Sequence, residues 1–411
     1  MSDVSLLNVK LYGEPIGTLT RVGGDRIIFA FNDDYTENPD RPILSLGFKD
    51  QLGELITGFR PTQTRLMPFF SNLLPEGHMR SYLAERAGIN TNREFFLLWV
   101  LGQDLPGAVT IEPSEDQAWP EDHDQGDNED DHDDHHDHAL RFSLAGVQLK
   151  FSAVNEARGG LTIPARGVGG DWIVKLPSRD FSGVPENEFS MLTLAGRIGI
   201  DVPEINLVDL TDIEGLPEGL GRFEGKAFAI KRFDRSGGED RIHIEDFAQI
   251  FGVYPEDKYK KASARSIASV LAAETSESDI AEFIRRLTFN VLIGNADMHL
   301  KNWSVRYLDP KSVSLAPAYD FVSTIPYIPD SKAALNVSRT KRFDEFNLDE
   351  LSHLAAKARL PSKLVRDTAI ETAQTFLGVW QEEKRNLTLH DDVIRVIDKH
   401  LGIVPLMAEA R

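Results

Sequence analysis

No stretch restricts this chain as much as Arg286 to Phe321, RLTFNVLIGNADMHLKNWSVRYLDPKSVSLAPAYDF. Leu287, Phe289, Val291, Leu292 and Ile293 predict a buried helix that Gly294-Asn295 stops. Asp297, His299, Lys301 and Asn302 then fall within six residues. Trp303, Val305 and Tyr307 predict a short strand, Asp309-Pro310 a turn, and Val313 with Leu315 a second strand. The chain returns at Ala318-Tyr319-Asp320-Phe321.

Asp297 and Asn302 are five residues apart. That interval separates the base from the metal-binding Asn in a protein-kinase catalytic loop, and Asp320-Phe321 sits where a kinase places its metal-binding Asp-Phe-Gly. Phosphoryl transfer needs these residue types. A carboxylate beside the attacking hydroxyl accepts its proton, an Asn carbonyl and a second carboxylate hold magnesium against the phosphates, and a Lys stabilises charge on the transferred group. A polar loop whose Asp and Asn cap turns would also give the first spacing. The second Asp, after a two-strand return, and the features upstream favour the chemical reading.

With 411 residues the chain is long enough for two or three domains. Its 41% hydrophobic and 27% charged content is that of a globular protein. No apolar run approaches a membrane span, and MSDVSLLNVKLYGE lacks the basic start and long apolar core of a signal peptide. The absence of cysteine excludes disulfides and thiolate metal sites and fits a cytoplasmic location. Twelve of the carboxylates behind the net charge of −20 lie between Glu115 and His138, where no Lys or Arg offsets them, which leaves −8 for the rest. A mildly acidic body argues against broad nucleic-acid binding.

Residues 1–112 read as a small mixed subdomain. Val4–Tyr12, Ile16–Val22 and Arg26–Phe31 alternate as strands. FFSNLLPEG precedes a helix over Met79–Ala87, a second helix opens at Asn92-Arg93-Glu94, and Gly107–Ile111 closes as a strand. No catalytic cluster is evident here, so a regulatory or structural role is expected. Residues 113–139 are low in complexity and rich in Asp and His, and read as a disordered insertion. His123, His132, His135, His136 and His138 among carboxylates could also hold Zn, Ni or Cu. LRFSLAGVQLKFSAV then predicts a hairpin turning at Ala145-Gly146, a shape that can lay backbone N–H groups over phosphates.

Trp172-Ile173-Val174-Lys175-Leu176-Pro177 ends an apolar strand on a lysine, the position of a kinase's phosphate-binding Lys. Glu188, with Glu186 as its rival, opens a helix from which it could pair with Lys175. Val202–Leu210 and Gly225–Phe233 give two more strands. The second leaves its sheet near Lys231-Arg232-Phe233, the hinge position of a nucleotide kinase, where Phe233 is either an adenine-packing ring or plain core. Helices over roughly 244–252, 261–273 and 277–293 follow, and beyond Phe321 the helices Leu348–Ala358, Ser362–Glu383 and Leu389–Leu401.

Together, FFSNLLPEG, LLWVLGQDLPGAV, the S-x-A-G-x-Q-x-K pattern from Ser143, WIVKLP, ENEF, KRFDR, IHIEDFAQ, LIGNADMHLKNWSV and APAYDF make the chain resemble the HipA family over nearly its whole length. These are bacterial serine/threonine kinases, the toxins of HipBA toxin–antitoxin modules. The resemblance implies an α+β, two-lobed protein-kinase-like fold with a small β-rich lobe, a larger helical lobe and an N-terminal mixed α/β subdomain. The divisions would be 1–112, the insertion 113–139, the small lobe 140–235 and the helical lobe 236–411.

The resemblance also implies the site. Asp297 would be the base, with His299 and Lys301 supporting its loop. Asn302 and Asp320 would hold Mg²⁺. Ala145, Gly146, Val147, Gln148 and Lys150 would form the ATP loop, Lys175 with Glu188 would hold the phosphates, and Lys231, Phe233 and Asp234 would meet the nucleotide at the hinge. Ser143 matches the serine whose autophosphorylation expels that loop and inactivates the kinase. Its new charge, about −1.5 to −2, would be repelled from phosphate-binding backbone. The implied partners are a HipB-like helix-turn-helix antitoxin, operator DNA through that antitoxin, and a protein substrate in translation such as glutamyl-tRNA synthetase, with no membrane. The insertion departs from the family pattern, and Lys231 stands where relatives often carry an acid; as in the family, Asp320-Phe321 is followed by Val322 and not by the Gly of Asp-Phe-Gly. A small-molecule kinase of the same fold, a non-catalytic co-repressor working with a helix-turn-helix partner and a metal buffer remain as alternatives.

Overall fold

The computed structural model describes residues 4–114, 149–156, 160–163, 169–178, 180–216, 223–236 and 240–410. Ser143, Ala145, Gly146, Val147, Gln148 and the acidic insertion lie outside the described residues.

Alternation builds the first sheet. In β1 (Ser5–Leu11) every second residue is buried, with Leu7, Val9 and Leu11 wholly so. β1 pairs antiparallel with β2 (Glu14–Val22) and, at the chain's return, with β5 (Val109–Pro113). With β3 (Arg26–Phe31) and β4 (Thr62–Gln63) the order is β4-β3-β2-β1-β5. Helices α1 (Asp33–Glu37), α2 (Pro68–Ser71), α3 (Gly77–Arg86) and α4 (Glu94–Leu101) complete this part. Phe69, Phe70, Phe95 and Phe96 fill its core.

The second sheet holds β6 (Lys150–Glu156), β7 (Gly160–Thr162), β8 (Trp172–Lys175), β9 (Ile205–Asp209), β10 (Ile213–Glu214) and β11 (Lys226–Lys231), in the order β10-β7-β6-β8-β11-β9. Phe151, Trp172, Val174 and Ala229 of this sheet share one core with Leu7, Val9, Phe69 and Phe96. A continuous apolar core makes the N-terminal residues and the small sheet one packed body. Gly107 lies where the N-terminal residues meet the later chain at His243 and Ile244. Its φ is +77°, and a Cβ there would meet the Ile244 backbone N at 2.8 Å.

α5 (Val184–Arg197) carries Met191, Leu192, Leu194 and Ala195 into the other core. That core belongs to α6 (Phe247–Ile250), α7 (Ala264–Glu274), α8 (Glu277–Leu292), α9 (Leu348–Ala358), α10 (Ser362–Glu383), α11 (Asp391–Leu401) and α12 (Leu406–Glu409). At its centre α8 buries Phe283, Ile284, Phe289, Val291 and Leu292. The small sheet β12 (Ile244–Asp246), β13 (Ser304–Tyr307), β14 (Val313–Leu315) lies beside it. No helix among the described residues is long and apolar enough to cross a membrane.

One buried carboxyl joins the two bodies. Glu245 accepts hydrogen bonds from Ser45 Oγ at 2.6 Å and Leu46 N at 2.8 Å, and from the Tyr307 hydroxyl. Burial pushes it up to about 7. A folded-state value above the unfolded 4.5 means the protonated form favours folding. This contribution is full below the unfolded value and is lost as pH rises through about 7. Glu245→Gln is therefore expected to flatten the fall in thermal stability between the unfolded value of 4.5 and about 7. Parallel wild-type and variant melting curves across that window would refute the assignment.

Candidate active site

The site is built where the ends of β6 and β8, the N-terminal half of α5 and the loops after α8 and β14 meet. β8 delivers Lys175 from a run whose Trp172 and Val174 face the core. α5 buries its apolar face in the helical body, which leaves Glu188, itself buried, against the strand. Lys175 Nζ lies 2.5 Å from Glu188 Oε1 and also pairs with Asp320 Oδ1. Between the rivals Glu186 and Glu188, the structure gives Lys175 to Glu188. Burial would lower the Lys175 ammonium, but Asp320 and Glu188 outweigh it and raise it. Burial likewise pushes Asp320 up, yet Lys175 and Lys150 hold it well below the usual carboxylate range. Burial dominates at Glu188 and raises it.

Lys150 stands directly opposite Lys175 in the antiparallel β6–β8 register. Desolvation draws it down to about 8, against the pull of Asp320. Two lysines facing each other across a ladder repel unless an anion lies between or beside them.

The catalytic loop is rigidly held at its start. α8 ends at Leu292, and Gly294 turns the chain at φ +67°, where a Cβ would run into Ile325. Asn295 Oδ1 accepts from Asp297 N at 3.0 Å, and Asn295 Nδ2 donates to Asn290 Oδ1 at 2.8 Å. The Asp297 carbonyl receives His299 N at 2.8 Å and Asn302 Nδ2 at 3.0 Å. Burial raises the Asp297 carboxyl, which suits a base that must take a proton. Its Oδ1 accepts from the Tyr259 hydroxyl at 2.5 Å. Burial, with Asp297 next, raises that phenol. His299 lies edge-on to the Tyr259 ring, 5.0 Å between centroids, and burial lowers it to about 3, so the imidazole is neutral. Asp297 and His299 both interact electrostatically with Asp320. The loops at 297–302 and 320 therefore face one cleft.

Lys301 does not point its charge at that cleft alone. It donates to the Asn72 carbonyl at 3.0 Å and pairs with Glu76 Oε1 at 2.7 Å, both in the N-terminal subdomain. At the hinge, Lys231 is exposed and lies 3.4 Å from Glu204. The Phe233 ring packs 5.7 Å from that of Tyr319, the residue before Asp320. Asp234 is drawn away from the cleft. Its carboxylate accepts from Arg232, from Arg235 at 2.7 Å and from Gly107 N at 2.8 Å, and its carbonyl from Ile242 N at 3.0 Å. The expectation that Asp234 meets the nucleotide is corrected to an internal ion network. Sequence reasoning missed Tyr259, Lys258 and Glu76. The first two lie in a DKYKK run that resembles a solvated surface, and Glu76 is 221 residues before Asp297 in the chain.

The donor set fits a nucleotide with its cation. Asn302 commits its Nδ2 to the Asp297 carbonyl, which leaves the amide oxygen for a metal. Among the described residues no cluster of three or more His, Cys, Asp or Glu could hold a metal on its own. Magnesium bound through one carboxylate and completed by phosphate oxygens needs no such cluster. Lys150 and Lys175 supply the facing positive charge.

Comparison with known proteins agrees. The chain matches the profile of the HipA N-terminal domain over residues 7–112 and of the HipA-like C-terminal domain over residues 142–380. It is 57% identical to a protein of Sinorhizobium fredii named putative kinase Y4dM, over 412 residues covering 100% of this chain and 99% of that one. The serine/threonine-protein kinase toxin HipA of Shewanella oneidensis is 27% identical over 313 residues, 69% of this chain and 68% of that protein. A solved structure of Shewanella oneidensis HipA with HipB and operator DNA superimposes with a TM-score of 0.70 at 22% identity, over 98% of this chain and 96% of that one. The architecture is thus that of a two-lobed, kinase-like α+β protein. The chain belongs to the HipA family and is a HipA-like kinase.

Proposed function

We propose that this chain is an ATP- and Mg²⁺-dependent protein serine/threonine kinase, the toxin of a type II toxin–antitoxin module, that phosphorylates a translation component such as glutamyl-tRNA synthetase and silences itself by autophosphorylation at Ser143. The observation that carries the reading is Lys175 held between Glu188 and Asp320, with Asp297 and Asn302 on the opposing loop. When bound, magnesium–ATP supplies the phosphoryl group and neutralises its charge. Asn302 and Asp320 would hold the metal, and Lys175 and Lys150 would hold phosphate oxygens. Phe233 and Lys231 meet the base. Asp297 takes the acceptor's proton, for which the acceptor hydroxyl replaces that of Tyr259 on Oδ1. Neutral His299 packs the loop beneath it.

The relative whose structure contains HipB and operator DNA supports a helix-turn-helix antitoxin as the partner, with DNA reached through it. The site is compatible with work in the cytoplasm, where ATP and magnesium are available.

Intact mass after incubation with ATP and Mg²⁺, followed by site mapping, tests the reading. One added phosphate at Ser143 is expected, and none in Ser143→Ala. An unmodified starting protein that binds ATP yet gains no phosphate, and modifies no protein in a lysate, would overturn it in favour of a non-catalytic partner of the antitoxin.

A further inference from the structure

Glu76, the last residue but one of the stretch FFSNLLPEG, occupies the N-cap of α3, but its side chain makes no capping hydrogen bond. N-caps favour Ser, Thr, Asp and Asn, so the helix does not explain a glutamate there. Its carboxylate instead reaches across to the helical lobe. It lies 2.7 Å from Lys301 Nζ and 2.8 Å from Lys258 Nζ; both lysines are buried, and the glutamate is mostly shielded from solvent. Burial opposes its ionisation, yet Lys301 and Lys258 hold it down to about 2.

The two lysines flank the catalytic loop. Lys301 adjoins Asn302. Lys258 accepts from Leu300 N through its carbonyl at 3.4 Å. Its ammonium sits 5.6 Å from the centre of the Tyr259 ring, whose hydroxyl is on Asp297. The contact is reinforced nearby. The Asn72 carbonyl takes Lys301, and Asn72 Nδ2 donates to the Val253 carbonyl at 2.8 Å. A buried charge that loses its partner is strongly unfavourable. Without Glu76, the two ammonium groups would have to repel, turn to solvent or reach for Asp297.

We infer that Glu76 is a positioning residue for phosphate transfer: the N-terminal subdomain sets the catalytic loop through the Glu76–Lys301 and Glu76–Lys258 pairs. The inference rests on the kinase reading of that loop. It gives the first 112 residues a part in catalysis without placing any of them on the substrate.

The test is hydrogen–deuterium exchange of the full chain, wild type against Glu76→Gln and Glu76→Asp, with phosphate incorporation and nucleotide binding measured on the same samples. Glu76→Gln keeps the shape and removes the charge. Amides from Asp297 to Asn302 are expected to exchange at least about tenfold faster in it. Phosphate transfer falls at least about tenfold while nucleotide affinity stays within about twofold. Glu76→Asp recovers much of both. Unchanged exchange in the loop overturns the inference. So does exchange that rises evenly over the whole chain in both variants, which would make Glu76 merely structural. A wild type that transfers no phosphate would sink the kinase reading, and loop exchange alone would then decide on Glu76.

Discussion

Asp297→Ala is expected to lower phosphate transfer by about 10²–10⁴-fold, the usual contribution of a positioned general base. Three features make Asp297 the group that acts. Its carboxyl is exposed enough to meet an acceptor, yet desolvation by the surrounding protein raises it, so it binds a proton more readily than a freely solvated aspartate. Its backbone is fixed by Asn295 and Asn302, so the side chain starts from one place. Its Oδ1 already accepts a hydroxyl, that of Tyr259. Nucleotide affinity should stay within about twofold, because Lys175, Lys150 and Asp320 are untouched and only a transition-state interaction is lost. Phosphate incorporation by intact mass, with nucleotide binding on the same sample, checks both halves. Equal loss of binding and transfer would mean that Asp297 holds the loop and is not the base. Full activity in the variant would move the base elsewhere.

Much of this was legible because it is local. The α8 approach, the Gly294 turn, Asp297 to Asn302 and the strand pair returning to Asp320 are consecutive, so periodicity and spacing describe them. The same holds for Ser362–Glu383 and Leu348–Ala358, whose bounds coincide with those read from the pattern. Lys175 and Glu188 are thirteen residues apart, near enough for a strand–helix step to suggest their pairing.

What the pattern did not reveal is non-local. Glu76 and Lys301, Ser45 and Glu245, and Asp104 and Arg232 meet only because two cores dock. A charged residue carries no sign of which distant partner will neutralise it. Asp234 illustrates the resulting error. In KRFDR it follows the hinge and looks available, yet Arg232 and Arg235 turn its carboxylate inward. The short strands β7 and β10 escaped for another reason: three-residue and two-residue segments carry too little alternation to register.

The same inward turn leads to the largest expected effect on stability. Arg232 donates to Asp234 at 2.8 Å, to Asp104 at 3.2 Å and to Ser152 Oγ at 2.9 Å, while Arg235 reaches Asp104 at 3.0 Å and Asp234 at 2.7 Å. Asp104 belongs to the N-terminal subdomain, Ser152 to β6, and Arg232 to the chain leaving β11. Two guanidinium groups balance two carboxylates, and Arg232, Asp104 and Asp234 are buried. Arg232→Met preserves volume but leaves two carboxylates on one arginine. Breaking such a network by removing one partner costs about 3–5 kcal/mol, and that loss should appear in denaturant unfolding. The cause can be separated from lost packing. Arg232→Met with Asp104→Asn restores neutrality without restoring any contact, so it should recover part of the stability if an uncompensated buried charge is the main penalty. A double variant weaker than the single one would show instead that the hydrogen bonds between the two sheets, and not the balance of charge, hold this junction together.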